Sequence, residues 1–155
     1  MIQRIQSVYL FLTALVAALF LRGSILTFNN NSGAGIMLNT SGIYQLKGTD
    51  TLHLDSNPAP VGVIIALIIA ISVAAIFLYR KRKLQMKLTI ALIILVLVFI
   101  GALVYCAVSV VNNYHAGISL NYKMFLPIVM IILAVLAYRG IKKDEELVRS
   151  YDRLR

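Results

Sequence analysis

Few residues in this chain have side chains suited to catalysis or metal binding, and they are scattered. His53 and His115 are its only histidines, and neither has a Cys, Asp or Glu at metal-ligand spacing, so two solvated loop histidines are expected. Cys106, the single cysteine, cannot form an intramolecular disulfide and lies in an apolar run where a thiol behaves as a small buried hydrophobe. The chain shows no Ser/His/Asp arrangement, His/Glu metal motif or Gly-rich phosphate loop. The expectation is a protein that is not an enzyme and holds no metal or cofactor. A competing enzymatic reading has to bring His53, His115 and Asp55 to one outer interface.

Residues suited to recognition are clearer. From Lys142 to Arg155 the sequence reads as a mixed-charge helix: Glu145 and Arg149 form an i,i+4 pair in the favourable order, and Leu147, Tyr151 and Leu154 share one face. Such a helix either docks on a membrane or cytoplasmic protein through Leu147, Arg149, Tyr151 and Leu154, or continues the preceding helix along the lipid headgroups. The cluster Arg80, Lys81, Arg82 and Lys83 is expected to set membrane topology and to meet anionic headgroups; nucleic acid is not an expected partner.

The elements that must position these residues are membrane helices. Of the 155 residues 60% are hydrophobic and only 14% charged, and the mean hydropathy is +0.86. A soluble domain of this size has too little polar surface to carry that composition. Four apolar stretches approach the ~20 residues needed to cross a hydrocarbon core of ~30 Å: residues 5–21, 61–79, 88–111 and 124–138. Residues 61–79 and 88–111 contain no charged side chain. The first reads as a retained anchor, since its 17 uncharged residues exceed the roughly 7 to 15 of a signal peptide and Arg22-Gly23-Ser24 offers no small-x-small cleavage site. The fourth is short, and Tyr122 and Lys123 are expected to snorkel outward and complete it. Pro127 falls near its first turn, where a missing N–H costs little.

Basic residues orient the four spans. Twelve of the fifteen Lys and Arg fall on one side, in Arg4, the connection 80–87 and the tail 139–155. Only Arg22, Lys47 and Lys123 fall on the other. Positive charge is retained in the cytoplasm, so both termini and the 80–87 connection are expected there, with residues 22–60 and 112–123 outside. Tyr79 and Tyr138 at the inner edge and Tyr114 and Tyr122 at the outer edge match aromatic belts.

The 22–60 loop is rich in Asn, Gly, Ser and Thr and is expected to form short strands resting on the helix ends. Residues 24–28 and 36–38 flank the Asn29–Gly33 turn, and residues 43–46 and 51–54 flank Gly48-Thr49-Asp50. It is either a structural cap or a binding surface. Asn57 and Pro58 are expected to cap and open the second span. Within the spans no Asp, Glu, Lys, Arg or His occurs, and Thr13, Ser72, Thr89 and Ser109 are expected to return their hydrogen bonds to carbonyls of their own helices. Ala66, Ala70 and Ala74, and Ala14 with Ala18, form small-residue ridges expected to serve helix packing.

The opening Met1-Ile2-Gln3-Arg4-Ile5-Gln6-Ser7-Val8-Tyr9-Leu10 and the closing runs from Ile141 to Ser150 and Asp152 to Arg155 resemble one family. They look like the uncharacterised four-span integral membrane proteins of Bacteroidetes, a domain of unknown function. The resemblance implies a bacterial inner-membrane location and a retained first span, and it implies no activity. The sequence thus describes an all-α membrane protein: a single domain, residues 1–155, forming a four-transmembrane-helix bundle with a small β-hairpin-containing extracytoplasmic loop and an amphipathic C-terminal cytoplasmic helix. Its expected role is a non-enzymatic accessory subunit or assembly factor. The alternative is a small oligomeric channel or transporter for an uncharged or lipid-like solute, with a second copy as partner.

Overall fold

A computed structural model of the chain describes residues 3–21, 24–29, 35–39, 42–47, 50–54, 59–78, 81–114, 117–119 and 121–153. Among them are four α-helices: α1 (Gln3–Phe20), α2 (Ala59–Phe77), α3 (Arg82–Tyr114) and α4 (Leu126–Arg153). A 3-10 turn over Tyr122–Phe125 leads into α4. Each helix presents one stripe inward at alternating steps of three and four residues. On α1 it is Gln6, Leu10, Thr13, Ala17 and Phe20; on α2 Val61, Ile65, Ile68, Ser72 and Ala75. On α3 it runs Gln85, Thr89, Leu92, Val96, Phe99 and Leu103, and on α4 Met130, Ala134, Ala137, Ile141 and Asp144. This spacing lets side chains of antiparallel neighbours interdigitate. The helices form a ring in which α2 packs on α1 and α3, and α4 packs on α3 and closes back on α1. Phe20 meets Phe99 edge to face across it, with ring centres 5.2 Å apart.

Five strands form one antiparallel sheet in the order β4 (Asp50–Leu54), β3 (Gly42–Lys47), β2 (Gly35–Asn39), β1 (Leu26–Asn29), β5 (Gly117–Ser119). Side chains alternate across it: Leu26, Phe28, Ile36 and Leu38 are buried in the same cluster as Phe20, Val61 and Val110, whereas Met37 is exposed. The period of two therefore turns one face onto the ends of the helices. The four strands expected in the 22–60 loop are present, and Lys47 pairs with Asp50 to close the β3–β4 hairpin. The cap expected at Asn57 and Pro58 lies outside the described residues.

Two features differ from the sequence expectation. β5 comes from the second loop and pairs with β1 in the register Thr27↔Ser119, binding the two loops into one sheet. A three-residue Gly-Ile-Ser strand carries no periodic signal, and only its distant partner stabilises it. Residues 82–87, read as part of a connection, are the first turns of α3, whose 33 residues extend about 50 Å. The fourth apolar stretch and the tail are one continuous 28-residue helix, so the tail continues the preceding helix, one of the two arrangements expected for it. By length and composition, Lys83–Asn113 and Lys123–Val148 suffice to cross a membrane; Ile5–Phe20 and Val61–Phe77 are shorter apolar helices.

Candidate functional site

The end of the bundle that carries α1's start and α4's last turns is where buried polar side chains gather. Gln6 of α1 donates from Nε2 to Oδ2 of Asp144 on α4, 2.5 Å away, and both residues are buried. Gly140, one turn before Asp144, makes room for this contact: a Cβ there would stand 2.9 Å from Gln6 Cγ. The two chain ends that carried the family resemblance are thus locked to each other. Asp144 falls within the stretch that the sequence reads as a mixed-charge helix, which gives it no role of its own. The overlooked signal was register, since Asp144 continues the stripe Met130, Ala134, Ala137, Ile141 at the next helical step.

Of the four hydroxyls singled out in the apolar stretches, Thr13 and Thr89 behave as expected and Ser72 does not. Thr13 Oγ1 donates to the Tyr9 carbonyl and Thr89 Oγ1 to the Gln85 carbonyl, each at 2.9 Å. Ser72 Oγ is fully buried and makes no hydrogen bond. The alanine ridge of α2 also corrects the expectation: Ala66 and Ala70 are exposed and Ala74 half-buried, because the larger Val61, Ile65 and Ile68 occupy the packing stripe. On α1, Ala14 is buried and Ala18 exposed, so Ala14 and Ala17, not Ala14 and Ala18, serve the contact.

Beyond Asp144, α4 presents Leu147 and the neighbouring Val148 as exposed apolar residues. Arg149 and Tyr151 belong to the same helix, and Leu154 lies outside the described residues. An exposed i,i+4 pair joins Lys142 and Glu146 at 3.9 Å. Of the basic cluster, Lys81 and Lys83 are exposed and Arg82 opens α3, while Arg80 lies outside the described residues. The Lys81 carbonyl accepts the N–H groups of Leu84 and Gln85, and its own N–H reaches the Leu78 carbonyl, so this residue joins α2 to α3 in a tight corner. Between α3 and α4, Met86, Tyr138, Lys142, Glu145 and Glu146 line a shallow cleft of about 230 Å³.

At the opposite end Lys123 does not reach outward. It is buried, and its Nζ donates to the Ser24 carbonyl at 2.7 Å, tying the 3-10 turn before α4 to the start of the sheet. A buried ammonium needs an acceptor to offset its lost hydration, and the Ser24 carbonyl supplies one. His53 lies in β4 opposite Tyr44, while His115 and Asp55 are outside the described residues. Among the described residues no group of three or more His, Cys, Asp or Glu is placed to hold a metal ion. Cys106 is half-buried against the core of α3.

Among the described residues the protein is mostly helical, with four helices in a ring, a small antiparallel sheet over one end and two helices long and apolar enough to cross a membrane. A family described as a domain of unknown function (DUF4293) matches residues 2–154, nearly the whole chain, and the protein belongs to that family. No curated protein matches the chain.

Proposed function

We propose that this protein is an integral membrane protein of the bacterial inner membrane that crosses the bilayer four times. Both termini and the α2–α3 corner then face the cytoplasm, and the five-stranded sheet faces outward. The observation that supports this reading most is the outer surface of the ring. Phe11 and Leu15 on α1, Val63 and Leu67 on α2, Ile94 and Val98 on α3, and Ile132 and Leu136 on α4 are all exposed, around an interior that is itself apolar. Helices apolar on every side are stable against lipid and aggregate in water. The exposed cations at 81, 83, 87, 139, 142 and 143 gather at the end opposite the sheet, in keeping with a cytoplasmic face.

Within the membrane the protein serves as a non-enzymatic accessory subunit or assembly factor, and its working surface is the part of α4 that extends beyond the bundle. Leu147 and Val148 support this, being apolar and exposed on the far side of the charged run 142–146. Replacing Leu147, Tyr151 and Leu154 together by Ser is expected to abolish recovery of the partner from mild detergent while membrane integration stays intact. Undiminished partner recovery refutes the docking role, and a particle made only of this chain favours the oligomeric channel instead.

A further inference from the structure

We propose that the cleft between α3 and α4 binds the headgroup of a zwitterionic phospholipid with a primary ammonium, an inference that rests on the membrane reading above. Its volume of about 230 Å³ is below the ~300–1,000 Å³ of pockets that enclose drug-sized ligands, so it suits a headgroup and not an entire solute. The order of its lining residues is the main argument. Along α4 the apolar stretch ends at Tyr138, which with Met86 of α3 forms the apolar part; Lys142 follows one turn later, and Glu145 and Glu146 one turn after that. From bilayer to water the protein therefore presents apolar surface, then a cation, then two carboxylates. A phosphoethanolamine lipid presents glycerol, then a phosphate anion, then an ammonium cation. Lys142 and the two glutamates are separated by about 4.5–6 Å along the helix axis, a distance a two-carbon spacer can span.

The carboxylates also decide between lipids. A purely anionic headgroup would meet Lys142 but be repelled by Glu145 and Glu146. A quaternary ammonium carries the right charge yet has no N–H to donate, and charge-assisted hydrogen bonds are the stronger ones. The Lys142–Glu146 pair does not block the site, because at 3.9 Å with both side chains more than half exposed it is weakly held and can exchange for the headgroup.

The full chain in mild detergent, exchanged with vesicles holding equal parts phosphatidylethanolamine, phosphatidylcholine and phosphatidylglycerol of matched acyl chains, tests this by native mass spectrometry of retained lipid. Phosphatidylethanolamine should be retained over phosphatidylcholine by roughly tenfold, the scale of a pair of charge-assisted contacts. The double variant E145Q/E146Q should bring the two to near parity, and K142Q should lower both. These residues line the surface, and variant yield in the membrane fraction monitors folding. Equal retention of the two zwitterionic lipids, preference for phosphatidylglycerol, or selectivity unchanged in E145Q/E146Q overturns the proposal. A chain that stays in solution without lipid or detergent refutes the membrane reading itself, whereas an integrated chain without this selectivity refutes only the site.

Discussion

A buried hydroxyl without a partner destabilises a fold by ~1–3 kcal/mol, and Thr13 and Thr89 avoid that cost within their own helices where Ser72 does not. Residue type separates them: the two satisfied hydroxyls belong to threonines, whose branched Cβ restricts χ1, and the unsatisfied one belongs to a serine. Each is a hydroxyl in an apolar run, and the rotamer that reaches the carbonyl one turn back is available to all of them. Ser72→Ala is expected to be neutral or to raise stability by up to ~1 kcal/mol, since it removes an unpaired group at little cost in volume. Thermal unfolding in detergent measures this, and a clear loss of stability would mean that the hydroxyl is satisfied by a partner such as buried water. Lys123 shows the reverse case, a cation that gains a carbonyl by turning inward.

At the scale of elements, the closure of α1 onto α4 depends on a notch. Gly140 admits Gln6, and Gln6 in turn holds Asp144. Gly140→Ala is expected to displace the Gln6 side chain and weaken that bond, destabilising by roughly 1–3 kcal/mol as an overpacked contact does. In a Gln6→Ala background the obstructing side chain is gone, and the same substitution should cost little or even help, because Ala favours helix over Gly by up to ~1 kcal/mol. A double-mutant cycle of unfolding midpoints reads the coupling directly. Equal cost in both backgrounds would show that Gln6 is not what the glycine accommodates.

At the scale of the whole molecule, the test is how the outer surface responds to charge. Val98 is 52% exposed near the middle of α3 and Val148 is 43% exposed near the end of α4. In water either could become Arg within about ±0.5 kcal/mol, as surface substitutions usually do. In a bilayer Val98→Arg at the midplane costs roughly 2.5–3.5 kcal/mol, while Val148→Arg at the helix end, past the charged run 142–146, costs little. The yield of carbonate-resistant, membrane-integrated protein should therefore fall for Val98→Arg and hold for Val148→Arg. Matching yields for both variants and the parent would count against a lipid-facing α3.

The sequence by itself determined the four apolar helices and the strands of the first loop, because hydrophobic run length and period-two alternation are local properties of a few consecutive residues. It also determined the segregation of positive charge to one side, a matter of counting along the chain. Only the tertiary structure decided which face of each helix turns inward, which sent Ala66 and Ala70 outside and Asp144 inside. α2 shows why: with apolar residues on every side it has almost no preferred face of its own, so its neighbours choose. The pairing of β5 with β1, the bond from Lys123 to Ser24 and the clasp of Gln6 with Asp144 join residues about 90 to 140 positions apart. No local pattern encodes such contacts; they exist because packing the ring brings the segments together.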